Sequence, residues 1–339
     1  MADGDKVRVG VLGLGSIAQV VHLPILSQLA NAQLAAVCDI DRAKARAIAG
    51  RFGILRVFQS DEEVFRSQDL DALVICTPSH LHEAQAVASL QSGKHTLVEK
   101  PLAMTEQGAA SVIAAAEAAG RTLQVAMNNR FRPDCQALKP FVAGGELGDL
   151  VLAHGAWLNR RVRTLRPTWR HRRATAGGGA FMDLGVQILD LAWWLLGFPK
   201  ASSVYASMYL APGSELEDSA TVVLRLASGG CISLSVCWST IANRDFHHLR
   251  LLGTRGSGTI APLAVFKELE TGMIDVTPQL PTYREHLYTA SYRNELRYFL
   301  DAARGSQPPP RPREQIELMR LVSLAYQSAT ERREVEVGA

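Results

Sequence analysis

A short apolar run, Val7-Arg8-Val9-Gly10-Val11-Leu12, passes without a break into Gly13-Leu14-Gly15-Ser16-Ile17-Ala18. That junction restricts the possible folds more than any other stretch. The run reads as a buried β-strand, and the glycine spacing after it fits a strand-to-helix turn wrapped around the pyrophosphate of a dinucleotide. Gly13 permits the tight turn, Gly15 lets backbone approach the phosphates, and Ala18 is small enough for close packing of helix on strand. Ser16 and Ile17 open that helix, whose positive end faces the phosphates. Pro24 lies inside the helix pattern of residues 17–30 and is expected to kink or split it.

The next strand, Leu34-Ala35-Ala36-Val37-Cys38, ends in Asp39, near the offset at which a carboxylate binds the adenosine ribose hydroxyls. Its charge repels a 2′-phosphate and so favours NAD over NADP. Arg42 keeps the second cofactor open, because a guanidinium nearby either accepts that phosphate or stacks on adenine. Asp41 reads as the N-cap of the helix Arg42–Phe52, with Gly53 closing it.

Strands and helices then continue to alternate. Asp61 suits the cap of a short helix, 72–76 is a buried strand, and Cys76-Thr77-Pro78-Ser79 turns into a helix over 82–92. Thr96-Leu97-Val98 leads into Glu99-Lys100-Pro101. Thr105 caps an Ala-rich helix to 119, and 123–126 is one more strand. Such spacing implies a parallel, doubly wound sheet with its ligand at the carboxyl ends of the strands. Gly13, Thr77, Lys100 and Asn128 all fall at such ends. Lys100 there is a proton donor with reach, and Pro101 stiffens the backbone behind it. His80 and His82 have no carboxylate or cysteine nearby to complete a metal set, so no metal is expected and His82 is read as packing near the cofactor.

After residue 126 the pattern changes. Residues 203–210, 220–226, 231–238 and 248–252 read as strands joined by short turns, hence an antiparallel sheet in an α+β domain. Between them, Phe181, Leu184, Ile188, Leu191 and Leu195 recur at helical spacing, with Asp183, Gln187 and Asp190 on the opposite stripe. So apolar a helix is mostly buried, a buried carboxylate needs a partner, and Lys100 is one candidate. Residues 159–173 hold seven arginines in fifteen positions. They form either a solvated loop or an anion-binding lid over cofactor phosphates or an acidic substrate. Residues 292–303 and 314–329 read as helices flanking the stiff Pro308-Pro309-Pro310, and 335–337 as a last strand.

Composition closes off several classes. A net charge of +3 in 339 residues does not suggest nucleic acid. The five cysteines lack metal-ligand spacing and suit a reducing compartment. The polar N-terminus does not resemble a signal peptide, and the apolar runs are too short for a membrane span, so a cytoplasmic protein is expected.

Taken together, Gly13-Leu14-Gly15-Ser16-Ile17-Ala18, Thr77-Pro78, Glu99-Lys100-Pro101, Asn129-Arg130-Phe131, Trp169-Arg170, the Gly177-Gly178-Gly179 to Asp190 helix and the tail of 292–337 resemble the Gfo/Idh/MocA oxidoreductase family. The resemblance covers 7–337. It implies a Rossmann domain, 1–126, followed by an α+β domain, 127–339, with a large, mostly antiparallel open sheet. It also implies a homodimer or homotetramer that uses NAD, or NADP, on sugars, cyclitols or sugar acids, the arginines favouring an anionic one. The cofactor would touch Gly13, Gly15, Ser16, Ile17, Ala18, Asp39, Arg42, Cys76, Thr77, Pro78, Ser79, His82, Glu99, Lys100, Asn128, Trp169 and Arg170. The catalytic group would be Lys100, Asp183 and Gln187.

The family places a histidine four residues after the aspartate, where this chain has Gln187. An imidazole exchanges protons near neutral pH, whereas an amide only orients a partner through hydrogen bonds. Three readings follow. The chain is an active oxidoreductase in which Lys100 moves the proton, or in which His171, Tyr283 or His286 replaces the missing histidine. Alternatively it is a catalytically silent dinucleotide- or sugar-binding regulator, or a lyase or glycosidase that uses NAD as a transient oxidant.

Overall fold

The structure, a computed structural model, describes residues 6–161, 168–282, 285–310 and 312–338. It divides into two compact units, 1–128 with 288–316 and 129–287 with 317–339. The segment 288–316, which the sequence division leaves with the second domain, therefore counts with the first. Its helix Leu287–Ala303 supplies Tyr292, Leu296, Phe299 and Leu300 to the same apolar cluster as Val9, Val11 and Leu97.

The first unit holds a six-stranded parallel sheet of β1 (Val7–Leu12), β2 (Ala32–Cys38), β3 (Arg56–Phe58), β4 (Ala72–Ile75), β5 (His95–Glu99) and β6 (Leu123–Ala126). The order is β3-β2-β1-β4-β5-β6, the doubly wound arrangement whose order reverses between β1 and β4. The inner strand β4 is apolar and buried at every position rather than alternating, as burial on both faces demands. Local signals set several helix ends as expected: Asp41 accepts from the Lys44 amide at 3.0 Å and Gly53 closes the helix at φ 68°, and Thr105 accepts from the Gly108 amide. Two ends differ. Ser60 rather than Asp61 caps the helix Asp61–Arg66, and the next begins at Ser79 with Pro78 as its N-cap.

Pro24 is accommodated by a widened turn. Ala18–His22 is a π-turn in which the Leu23 amide bonds Ala18 O, and the α-helix Leu23–Leu26 follows. A proline cannot donate to the carbonyl four residues back and its ring collides with that carbonyl, so one extra residue in the preceding turn removes the conflict.

The second unit holds nine strands, β7 (Leu150–Arg160), β8 (Ala201–Leu210), β9 (Glu217–Leu226), β10 (Cys231–Thr240), β11 (Phe246–Gly253), β12 (Gly256–Ile260), β13 (Ala264–Leu269), β14 (Gly272–Asp275) and β15 (Val335–Glu336). Their order is β14-β13-β12-β11-β7-β10-β9-β8-β15, antiparallel except for the central β7/β10 pair. The helix Val186–Leu195 packs on this sheet at Gly155, where a β-carbon would come within 2.8 Å of Ile188. Among the described residues, no helix is long and apolar enough to cross a membrane.

Candidate active site

The candidate cofactor residues of the first unit lie at the carboxyl ends of β1, β2, β4, β5 and β6. Gly13 has φ 86°, and a β-carbon there would sit 2.8 Å from the backbone of Cys76 and Thr77, so glycine is required twice over. Gly15 and Ser16 are exposed, and a β-carbon at Gly15 would meet open space. That is the clearance a pyrophosphate needs beside the backbone. Asp39 ties the turn together: Oδ2 accepts from the Leu14 amide at 2.7 Å and lies 2.9 Å from Lys44 Nζ, while Oδ1 accepts from the Asp41 amide at 2.8 Å. Arg42 points to solvent beyond it. The open turn, the carboxylate after β2 and the helical start at Ser16 fit a dinucleotide.

After β4, Thr77 donates to Gln85 Oε1 at 2.5 Å, and Ser79 is buried behind Pro78. The buried His82 ring stands between two carbonyl oxygens, Nδ1 at 2.7 Å from Pro101 O and Nε2 at 2.8 Å from Thr77 O. It thereby joins the loops after β4 and β5. Burial pushes this imidazole below its ordinary range against the pull of both carbonyls. The neighbouring Cys76 thiol is driven up, first by burial and then by the Glu99 charge.

Glu99 pairs with His22 at 2.8 Å. Burial works to raise its pKa, but the hydrogen bond and charge of His22, with Lys100 and His82, hold the carboxyl below the usual range. Glu99 Oε2 also accepts from the backbone amide of the half-buried Lys100 at 3.3 Å, and the Lys100–Pro101 bond is cis. Asn128, at the end of β6, faces inward and donates to Ser291 Oγ at 2.8 Å.

The second unit holds its own group of candidate residues. Gly177 has φ 80°, a β-carbon at Gly178 would collide with the Tyr326 hydroxyl, and one at Gly179 with Glu217 O. The buried Glu217 Oε1 accepts from the Gly179 amide at 2.8 Å, the Phe181 amide at 3.0 Å and the Tyr326 hydroxyl at 2.8 Å. A carboxylate so placed satisfies amides that a helix start leaves without partners. Burial, then the Glu217 charge, pushes the Tyr326 phenol well up, so it stays a donor.

From this anchor runs a second π-turn, Phe181–Gly185, ahead of the helix Val186–Leu195. It carries Asp183, which accepts from Trp238 Nε1 at 3.1 Å. Gln187 Nε2 donates to the Asp183 carbonyl at 2.9 Å, which orients the amide. Asp190 is not a third site group. Only 1% exposed, it holds Arg130 through contacts of 2.8 and 2.5 Å. The partner that the buried carboxylate of Asp190 requires is therefore Arg130, where the sequence offered Lys100.

The arginine-rich stretch is described only in part, since Arg163, Arg166 and Tyr283 lie outside the described residues. Arg170 stacks 4.5 Å over Trp169, and Arg173 Nη2 donates to Glu215 O at 2.7 Å. His171 lies 6.1 Å, ring to ring, from Trp238, beside the carboxylate of Asp183. Its Nδ1 accepts from the Thr168 amide at 3.0 Å. With Nδ1 accepting, Nε2 is the ring's remaining donor. His286 is exposed.

Sequence reasoning missed Glu217, Trp238 and His22. The glycine triplet signals a close backbone approach without saying to what.

Residues 7–127 match a family model described as an oxidoreductase family with an NAD-binding Rossmann fold, and residues 139–337 match that family's C-terminal alpha/beta domain. The chain is 30% identical over 312 residues to an inositol 2-dehydrogenase of Paracoccus denitrificans (strain Pd 1222), covering 90% of this chain and 88% of that one. It is 26% identical over 282 residues to a D-glucoside 3-dehydrogenase of Escherichia coli (strain K12), 78% of this chain and 80% of that one. Among solved structures, GenD2 from gentamicin A biosynthesis, in complex with NAD, superposes with a TM-score of 0.86 at 26% identity, covering 99% of this chain and 97% of that one.

Proposed function

The chain belongs to the Gfo/Idh/MocA oxidoreductase family, and on that premise we propose that it moves a hydride between NAD and a ring CH–OH carbon of a sugar, cyclitol or sugar acid. The observation that carries this is the pairing of Asp183 with Trp238 and of Gln187 with the Asp183 carbonyl. Together they fix one charged acceptor and one oriented amide, which suits a substrate with several adjacent hydroxyls.

Bound NAD supplies the hydride acceptor. The neutral amine of Lys100 would take the hydroxyl proton at Nζ, becoming an ammonium as the carbonyl forms, and that ammonium returns the proton in the reverse direction. Asp183 accepts from the reacting or a neighbouring hydroxyl and sets its angle. Gln187 presents Oε1 to a further hydroxyl and holds the ring in register. Trp238, with His171 beside it, forms an aromatic wall for the apolar face of the ring. The family resemblance and the relatives' names favour NAD, a homo-oligomer and a small polyol. The five free thiols suit a reducing cytoplasm.

The test is reduction of NAD by purified protein over a panel of inositols, glucosides, free sugars and uronates, run also in reverse with the ketones. Turnover with at least one is expected, and Lys100→Met is expected to cut kcat by roughly a hundredfold or more. No turnover in either direction overturns the proposal. NADH binding without turnover would instead favour a silent dinucleotide-binding regulator, which Gln187 in place of a histidine makes the second reading.

A further inference from the structure

The first unit has a second concave region at the amino ends of its strands, opposite the cofactor turn. Two clefts of about 980 and 570 Å³ meet there, both lined by His95 and Arg121. Lys94 and Lys100 bracket β5. At about 3.3 Å per residue they lie roughly 20 Å apart along the strand, so a ligand here does not overlap the dinucleotide.

The smaller cleft is strongly cationic. Lys6, Arg8, Lys94, Arg121 and Arg304 line it against one carboxylate, Asp71. Asp71 is committed to Arg8 through bonds of 2.7 and 3.0 Å. Lys94 is only 2% exposed, and its ammonium donates to Phe65 O at 2.7 Å and Ser92 Oγ at 3.2 Å. Among the described residues no carboxylate pairs with it. A buried ammonium facing only neutral oxygens is costly, and an anion in the cleft relieves that cost.

His95 and Arg121 point to where the anion sits. His95 Nδ1 accepts from the Thr122 amide at 3.1 Å, so in the neutral ring the proton is on Nε2. Nε2 lies 3.4 Å from Arg121 Nη1, which has only hydrogens to offer. Two donors face each other across this gap. An oxygen carrying only lone pairs resolves the conflict by accepting from both. Next to this pair the larger cleft is apolar, walled by Ile113, Ala116, Leu123, Ala302, Pro308 and Pro309. Its one carboxylate, Glu117, is neutralised by Arg313 at 2.7 Å.

We propose that this cleft binds a phosphate monoester, with the phosphate between His95, Arg121 and Lys94 and an apolar body against the proline wall. Nothing in this depends on the substrate of the cofactor site. Its test is calorimetric titration of the full chain with inorganic phosphate and with phenyl phosphate in chloride buffer. Saturating NADH is present to fill the turn at Gly13 and Gly15. Saturable binding of both is expected, tighter for phenyl phosphate. Arg121→Glu and Arg304→Glu, both at exposed positions, are each expected to weaken it roughly tenfold or more, with NADH affinity unchanged. Absence of saturable binding, or wild-type affinity in both variants, overturns the site. Equal affinity for the two probes overturns its apolar half.

Discussion

Replacing Glu217 with alanine tests whether the substrate half is held in place from its N-terminal anchor. One carboxylate oxygen accepts from the Gly179 amide, the Phe181 amide and the Tyr326 hydroxyl, at 2.8, 3.0 and 2.8 Å. Gly179, Phe181 and Glu217 are all buried, so water does not readily replace the lost acceptor. Each orphaned buried donor costs about 1–3 kcal/mol, so once the Tyr326 hydroxyl has turned elsewhere the two amides left cost about 2–6 kcal/mol. For a unit of this size, about 2–4 °C per kcal/mol gives a fall in Tm of roughly 4–24 °C in scanning calorimetry. Glu217→Gln keeps the acceptor and loses only the charge, so less than half of that fall is expected. Function should split in the same way. The helix start that carries Asp183 loosens, so kcat drops, while NADH affinity, which we assign to the Gly13 turn and Asp39, stays within about twofold. A Glu217→Ala protein melting within about 1 °C of wild type, or Gln proving as harmful as Ala, would refute the reasoning.

His247 is set to weaken the protein in acid. Burial, then the Arg132 charge, lowers its imidazole from 6.5 to about 4. As pH falls from about 6.5 to about 4 the unfolded chain takes up a proton that the native ring refuses, which removes about 3 kcal/mol at 1.36 kcal/mol per unit. His247→Phe keeps the ring packed 4.6 Å from Trp157, and urea melts at pH 7 and pH 4 should show wild type losing about 3 kcal/mol more than the variant. Parallel losses would rule this out. Asp39→Asn keeps an acceptor for the Leu14 amide but removes the charge, so the ratio of NADPH to NADH affinity should rise roughly tenfold in fluorescence titrations. A change below about twofold would place discrimination elsewhere. Gln187→Ala should raise KM roughly tenfold with a smaller loss in kcat, because an anchored amide orients and does not titrate. A loss of about a thousandfold in kcat would put Gln187 on the proton path instead.

What could be read from the chain beforehand, and what could not, follows from how far apart the interacting residues lie. The Gly13 turn, the caps at Asp41 and Thr105 and the position of Lys100 after β5 depend on neighbours a few residues away, and they were legible. Strands β12–β14 were not. They are four to six residues long, and Gly256, Gly258 and Gly272 interrupt the alternation that marks a strand. Strand β7 hid for another reason: as the central strand it is covered in places on both faces and carries Gly155 where the helix Val186–Leu195 packs, so it never shows a clean period of two.

The site residues divide in the same way. Asp183 and Gln187 stand out as candidates because both lie on one helical stripe and fall where the family resemblance puts its catalytic pair. Asp190 shares that stripe but serves the fold, because its partner Arg130, 60 positions away, is on the 3₁₀ turn Asn128–Phe131. Glu217 and Trp238 reach Asp183 and its helix start only through strands β9 and β10, 36 to 55 positions downstream. Their roles depend on sheet register, which no local pattern in the sequence encodes. The consequence is physical as well as methodological. The groups proposed to touch substrate are placed by a carboxylate that touches none of it, Glu217, and by an indole, Trp238, that also walls the proposed ring site. Changes at Glu217 or Trp238 should therefore alter turnover without altering what the protein recognises as its cofactor.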